Sequence, residues 1–411
     1  MDDRTMPNMP VVIVGAGPTG LACARTLRDA GRSVVVVESS SRVGGRLGST
    51  MVDGVACDLG FQVSMSNYES LETLAPRHIA PRHAFTPGAI VVTEEKRIRM
   101  VDPGREPLAG LGAWWSGLAK FRDLRAALRC RRRAASVFSG AHEPGTAISC
   151  IEAAGFSTGF TESFLRPFFG GVMLDEGLDV PADRFLRTLH RFATGSAELP
   201  AGGMQSLADA LAAPIESEIR FDTTAVTATP DGVTLADGSR IDASEIVLAT
   251  PLDVTARLLG SPSPPGDDAW SGTTAVHFAS PQRVIDEPII VLNGRGQGSV
   301  NLTCSPSQVA PGIAPPGTHS VLASLRPGRH DPSKIDVDAI RGETADLLGV
   351  DGSNWRHLIT TNVPNALPRP GATPQVSPPP GIRVAGDWME DPSIENSIRI
   401  GIKTARELLA V

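Results

Sequence analysis

Residues 11–20 read VVIVGAGPTG. Four β-branched residues run into Gly15-Ala16-Gly17-Pro18-Thr19-Gly20, and the helical pattern LACARTLRDAG follows at once. A strand that turns through glycines into a helix is the arrangement that cradles a dinucleotide pyrophosphate. Gly15 permits the tight turn. Gly17, lacking a side chain, lets backbone N–H groups approach the phosphates, and Gly20 lets the helix pack closely on the strand. Pro18 and Thr19 open the helix, whose free N–H groups and positive dipole end favour an anion.

The next segment, RSVVVVE at 32–38, predicts a second buried parallel strand ending at Glu38. Roughly 20 residues past the first glycine is where a carboxylate grips the ribose hydroxyls of an adenosine. Glu38 would repel a 2′-phosphate, so the unphosphorylated dinucleotide is expected. Downstream, SSSRVGGRLGS at 39–49 holds Gly44-Gly45-Arg46. That turn sets Arg46 beside the expected pyrophosphate, where its planar cation suits phosphate oxygens.

At 411 residues the chain exceeds the usual size of one domain, so two are expected. Hydrophobic residues make up 41% and charged ones 20%, as in globular proteins. The net charge of −7 argues against a nucleic-acid binder held by bulk charge. The five cysteines are scattered with no CxxC pair, and the eight histidines show no ligand spacing, so no metal is expected. Scattered thiols fit a reduced, cytoplasmic setting. No apolar run reaches the length that spans a bilayer. The Arg-rich KFRDLRAALRCRRR at 120–133 reads either as a solvated helix face or as a membrane-surface or partner-docking element. In the second reading it joins 107–119, with Trp114 and Trp115 as interfacial anchors.

ELPAGGMQSLADALAA at 198–213 predicts a glycine turn opening a helix. Two Asp-Gly turns, at 231–232 and 237–238, then separate short alternating strands, the signature of a β-meander. The buried strand EIVLATP closes it at Thr250-Pro251. A plain nicotinamide dehydrogenase would instead run on as βαβ units. Residues 256–375 alternate Pro/Gly-rich loops with strand-like TTAVHFA, PIIVLN and HSVLASL, which predicts an antiparallel or mixed sheet. A Pro-rich stretch at 369–381 reads as a stiff linker. The short strand IRVAGD carries Gly386 and Asp387 at its end, and Ser393 stands as N-cap of a helix starting at Ile394.

Together these segments resemble the flavin amine oxidase superfamily in its broad sense, which includes amine oxidases, protoporphyrinogen oxidase and the phytoene or carotenoid desaturases. The resemblance rests on Gly15-x-Gly17-x-x-Gly20, Glu38, Gly44-Gly45-Arg46, Asp58-x-Gly60-x-Gln62, LPAGGMQSLADALA, EIVLATP and VAGD…SIENSIRIGIKTA. FLRPFFGGVMLDEGL at 164–178 looks most like the desaturase-type members. The resemblance implies an α/β fold. It is a glutathione-reductase-like FAD-binding Rossmann domain with an inserted β-meander, built from 1–70, 196–255 and 376–411. A discontinuous α+β substrate domain follows from 71–195 and 256–375. It implies that Val226 offers backbone contacts to the adenine, that Asp387 accepts from a ribityl hydroxyl or approaches the pyrophosphate through water, and that Thr250 and Gly386 border the cofactor. The helix from Ile394 would face the flavin N1–C2=O edge and stabilise negative charge there. Gly60, Phe61 and Gln62 would border the ring, with Gln62 either reaching substrate or making a structural bond.

Departures from the family pattern shape the expected chemistry. Amine oxidases of this kind place a lysine beside flavin N5, yet the four lysines here, at 96, 120, 334 and 403, fall outside the strand-like runs. His277 is the nearest substitute. The aromatic cage of those enzymes is reduced to a single tyrosine, Tyr68, with Trp388 as one wall or as packing behind the ring. Asn396 and Ile400 stand where the family often has Gly and Ser. No cysteine lies near the C-terminal motif, so FAD is expected to be non-covalent. The leading expectation is an FAD-dependent oxidoreductase taking hydride from a C–H bond of a small, largely apolar substrate to give C=C or C=N. A redox-neutral flavin isomerase or cyclase, an amine oxidase and a non-catalytic FAD-binding partner protein are the alternatives. Oligomeric state is left open.

Overall fold

A computed structural model describes residues 9–101, 117–261, 266–328, 330–371 and 377–410. Trp114 and Trp115, and most of the 107–119 stretch, lie outside the described residues, as does part of the Pro-rich 369–381 segment.

Val11–Val14 and Val34–Val37 are β-branched throughout and almost wholly buried, as inner strands of a parallel sheet are. They pair in parallel, Val11 opposite Val34. Glu245–Leu248 pairs with the other edge of Val11–Val14, and Ile382–Val384 pairs beyond it. Ile219–Arg220 extends the sheet past Val34–Val37. The first strand is therefore central, with its neighbours added on opposite sides. The crevice at its C-terminal end is the switch point where an open α/β sheet binds ligands. Three stretches far apart in sequence meet there.

Helix Pro18–Asp29 leaves the first strand through the glycine loop. The C-terminal helix Ile394–Leu409 packs against it so closely that a Cβ on Gly401 would lie 2.2 Å from the Thr19 carbonyl oxygen. Ser393 caps that helix, its hydroxyl accepting from Asn396 N at 3.1 Å. The expected meander is present as Ala225–Thr229, Gly232–Leu235 and Arg240–Asp242, antiparallel throughout.

A second sheet has seven strands, in the order Arg356–Pro368, Trp270–Ser280, His319–Leu325, Val300–Cys304, Ile290–Asn293, Gly88–Val92, Arg97–Val101. Of the two expected arrangements it is the mixed one, because Gly88–Val92 docks in parallel beside Ile290–Asn293. Helix Arg166–Met173 packs on this sheet, and helix Ala182–Thr194 packs against Phe121–Phe138. Between Ser157 and Arg166 the chain makes one π-helical segment, Thr161–Leu165, a local widening that recurs at functional sites. Among the described residues no helix is long and apolar enough to cross a membrane.

Candidate functional site

The three glycines of the first loop do different jobs, and the geometry separates them. A Cβ on Gly15 would sit 2.7 Å from the Ala249 carbonyl oxygen, and the residue holds φ +101°, so the turn admits no side chain. On Gly20 the Cβ would meet the Gly15 carbonyl oxygen at 1.9 Å, which fixes the helix against the loop. On Gly17 it would meet nothing within 4 Å. Gly17 instead borders a cavity of about 1670 Å³. Backbone packing does not require a glycine there, whereas a ligand approaching the N–H groups at the helix start does.

Glu38 lines the same cavity and is 7% exposed. Its carboxylate accepts from Ala16 N at 2.8 Å, Ser40 N at 2.9 Å and Ser40 Oγ at 2.8 Å. It therefore ties the glycine loop to the end of the second strand. Arg46 donates to Asp387 Oδ1 at 2.6 Å and to the Ala366 carbonyl at 2.8 Å. Two residues singled out from opposite ends of the sequence thus form one ion pair on the cavity wall. Pro18, Thr19, Gly45, Phe61, Gln62, Thr250, Gly386, Ser393 and Ile394 also line it. The wall has the glycine cradle, helix starts and buried carboxylate that an FAD molecule requires.

Five expected site residues do not reach the cavity. Gly20 is used in helix packing. Gly60 packs on Thr273, while its neighbour Phe61 faces inward. Val226 is 46% exposed, and Thr223, Thr224 and Ala225 form the wall in its place. The pairing with the next strand shifts register between Ala225 and Thr227, so regular alternation fails at Val226. Trp388 turns away, its indole N–H donating to the Thr250 carbonyl at 3.2 Å while its ring packs beside Leu252, Ala269 and Trp270. His277 is buried in the second sheet, with Nε2 donating to the Asp58 carbonyl at 3.0 Å. Gln62 does line the cavity, but its amide donates to the Arg46 and Leu59 carbonyls at 2.9 and 2.7 Å. Its NH2 group is committed to holding the loop.

Burial pushes His277 down to about 4, so the ring is neutral at neutral pH. Between about pH 6.5 and pH 4 the unfolded chain takes up a proton there that the native state refuses, so His277 lowers stability as pH falls. The neighbouring carboxyl of Asp58, raised by burial to about 6, titrates with the opposite slope. His277→Asn keeps an N–H for Asp58 and Asp58 is common to both proteins, so their difference isolates the imidazole. The variant is expected to gain about 2–3 kcal/mol on the parent between pH 7.5 and pH 4 in urea unfolding. A stability difference independent of pH would show an ordinary, accessible histidine.

Beyond the cradle the cavity opens into an aromatic chamber, most of which the sequence reading did not single out. Phe156, Phe160, Phe164 and Phe168 recur every fourth residue across the π-helical segment and follow one another with centroids 5.6, 5.3 and 5.7 Å apart, the outer two pairs stacked and Phe160–Phe164 tilted at 52°. Phe192 lies edge-on to Phe168 at 5.0 Å, and Phe185 edge-on to Phe169 at 4.8 Å. Phe61 and Phe85 close another side. The spacing of four was visible in the sequence; the arrivals from 61, 85 and 192 were not. Helix Ala182–Thr194 also turns Arg184, Arg187 and Arg191 toward the chamber. The cavity is larger than an ordinary small-ligand pocket of about 300–1000 Å³, with room for a dinucleotide and a second molecule.

Comparison with known proteins agrees with this geometry. A putrescine oxidase from Kocuria rosea is 50% identical over 62 residues, 15% of this chain and 13% of that protein. A probable zeta-carotene desaturase from Synechococcus elongatus is 45% identical over 67 residues, 16% of this chain and 14% of its own. Those matches span only a small part of either relative. An oxidoreductase from Methanosarcina mazei shares the fold, with a TM-score of 0.74 over 97% of this chain and 100% of its own at 17% identity. The model of the flavin containing amine oxidoreductases matches residues 18–409. The chain accordingly belongs to the family of flavin containing amine oxidoreductases, whose cofactor is FAD.

Proposed function

We propose that this chain is an FAD-dependent oxidoreductase that takes hydride from a C–H bond of a largely apolar substrate, leaving C=C or C=N. The carrying observation is the phenylalanine-lined chamber that continues directly from the dinucleotide cradle. When bound, FAD supplies the hydride acceptor. The N–H groups after Gly15 and at the start of helix Pro18–Asp29 hold the pyrophosphate, and Glu38 holds the ribose. Arg46 and Asp387 anchor the middle of the cofactor, and Ser393 and Ile394 present a second helix start. The phenylalanine rings bind and orient the donor and exclude water. The segments 1–70, 196–255 and 376–411 form the cofactor domain in this reading, and 71–195 with 256–375 the substrate domain. FAD is non-covalent, since no cysteine lies in the C-terminal segment that meets the cradle.

Two features weigh against a polyamine, the substrate class of the putrescine oxidase relative. No lysine is among the described residues lining the cavity, and the chamber wall carries arginines that repel a dication. Acid precipitation is expected to leave FAD in the supernatant. Under anaerobic conditions, putrescine and primary amines are expected to leave the flavin band intact, whereas apolar donors with an activated C–H bleach it. After chemical reduction, reoxidation in air-saturated buffer is expected to be slow. Rapid reoxidation together with efficient putrescine turnover would overturn the reading.

A further inference from the structure

Four carboxylates reach the cavity wall, and each already has partners. Glu38 accepts from Ala16 and Ser40, Asp387 pairs with Arg46, Glu390 with Arg399 and Asp391 with Arg187. Arg191 donates to the Asn67 carbonyl at 2.6 Å and lies over the Tyr68 and Phe138 rings. Arg184 is different. It lines the same wall and is 6% exposed, yet no acceptor or carboxylate of the described residues lies within bonding distance of its guanidinium. Asp391, Asp175 and Asp387 act on it only through space, and burial lowers its pKa from the usual value. A guanidinium does not give up its proton in a protein. A buried, permanently charged group with open donors is a strongly unfavourable arrangement that an arriving anion relieves.

We propose that Arg184 is the anchor for a carboxylate on the substrate, which is therefore an amphiphilic acid: an apolar body among the phenylalanines and a carboxylate on this guanidinium. The proposal rests on the reading of the chamber as the substrate site. One planar cation matches one carboxylate through two parallel N–H bonds. A phosphate dianion would need a second free cation, and Arg187 is already taken by Asp391. Arg184 lines the same cavity as Phe164, Phe168 and Phe192, so one ligand can meet both the charge and the rings.

The test is calorimetric titration of the FAD-loaded protein with decanoate, decanamide and decylamine, three ligands that share a tail. Decanoate is expected to bind about tenfold or more tighter than decanamide, with decylamine weakest. Arg184→Met should erase the preference while keeping decanamide affinity and FAD content, and Arg184→Lys should retain part of it. Without any variant, phenylglyoxal labelling read by peptide mass spectrometry should mark Arg184, with decanoate but not decanamide protecting it. Equal affinity of the native protein for decanoate and decanamide, labelling indifferent to decanoate, or folded Arg184→Met protein lacking FAD would each overturn the proposal. The last outcome would put the guanidinium on the cofactor. Decanoate protection in a protein that also oxidises putrescine would overturn the apolar-donor reading, and with it the assignment of the Arg184 carboxylate site to the substrate.

Discussion

Gly17→Val is expected to yield folded but colourless protein, and Gly20→Val to yield no soluble protein. The two glycines are three residues apart, so composition and local propensity do not distinguish them. Gly17 has φ −74° and ψ 175°, extended backbone that any residue adopts, and its Cβ would meet nothing within 4 Å. The fold has no objection to a side chain there. A valine would nevertheless occupy the space through which a pyrophosphate reaches the helix N–H groups. Losing those charge-assisted bonds is expected to weaken FAD binding by about 100-fold or more. At Gly20 a Cβ would lie 1.9 Å from the Gly15 carbonyl oxygen, a backbone atom that cannot move without breaking the turn. That overlap is expected to cost more than about 3 kcal/mol. Bound-flavin absorbance and thermal unfolding of the cofactor-free form separate the outcomes. Normal FAD content in Gly17→Val would show that the pyrophosphate lies elsewhere.

Glu38→Arg is expected to abolish FAD binding, and Glu38→Gln to weaken it about tenfold. The carboxylate accepts from Ala16 N, Ser40 N, Ser40 Oγ and, at 3.4 Å, Ser39 Oγ, so it shapes the loop before any ribose arrives. Hydrogen bonds to a charged acceptor are worth about 1.5–3 kcal/mol each. Glutamine keeps one acceptor oxygen but turns an NH2 against either the Ala16 or the Ser40 N–H. Arginine removes both acceptors and sets a cation among N–H donors. Equilibrium titration of stripped protein with FAD reads both effects, and unchanged affinity in the arginine variant would remove Glu38 from the ribose.

What could be read from the sequence follows from how locally each feature is determined. The glycine loop, Glu38 and the two Asp-Gly turns impose backbone geometry on their own neighbours, so their placement survives into three dimensions. The side-chain direction within a strand is a different matter. Trp270–Ser280 is buried along nearly all of its 11 residues, so period-two alternation gives no clue that His277 faces Asp58 rather than the cavity. Val226 stands at a register shift between Ala225 and Thr227, an irregularity that alternation along the strand does not foretell. Trp388 adjoins a cavity residue, Asp387, but finds its partner at Thr250, a contact between remote segments. The chamber was half legible: the ladder at 156, 160, 164 and 168 is a local spacing, whereas Phe61, Phe85 and Phe192 arrive through tertiary packing. Arg184 carries no motif at all. Its meaning lies in what is missing around it, and only coordinates show that.

The central position of the first strand has a consequence for biosynthesis. Val11–Val14 leaves the ribosome more than 200 residues before one of its flanking partners, Glu245–Leu248, and further still before the strand beyond it, Ile382–Val384. Arg46 waits in the same way for Asp387, and helix Pro18–Asp29 for Ile394–Leu409. A nascent chain halted before Ile382 has the glycine loop and Glu38 but lacks half the walls around them. Pairings this distant in sequence close slowly, and their apolar edges stay open meanwhile. Cofactor capture is thereby a late event, and the supply of flavin at that moment acts on the yield of native protein by mass action.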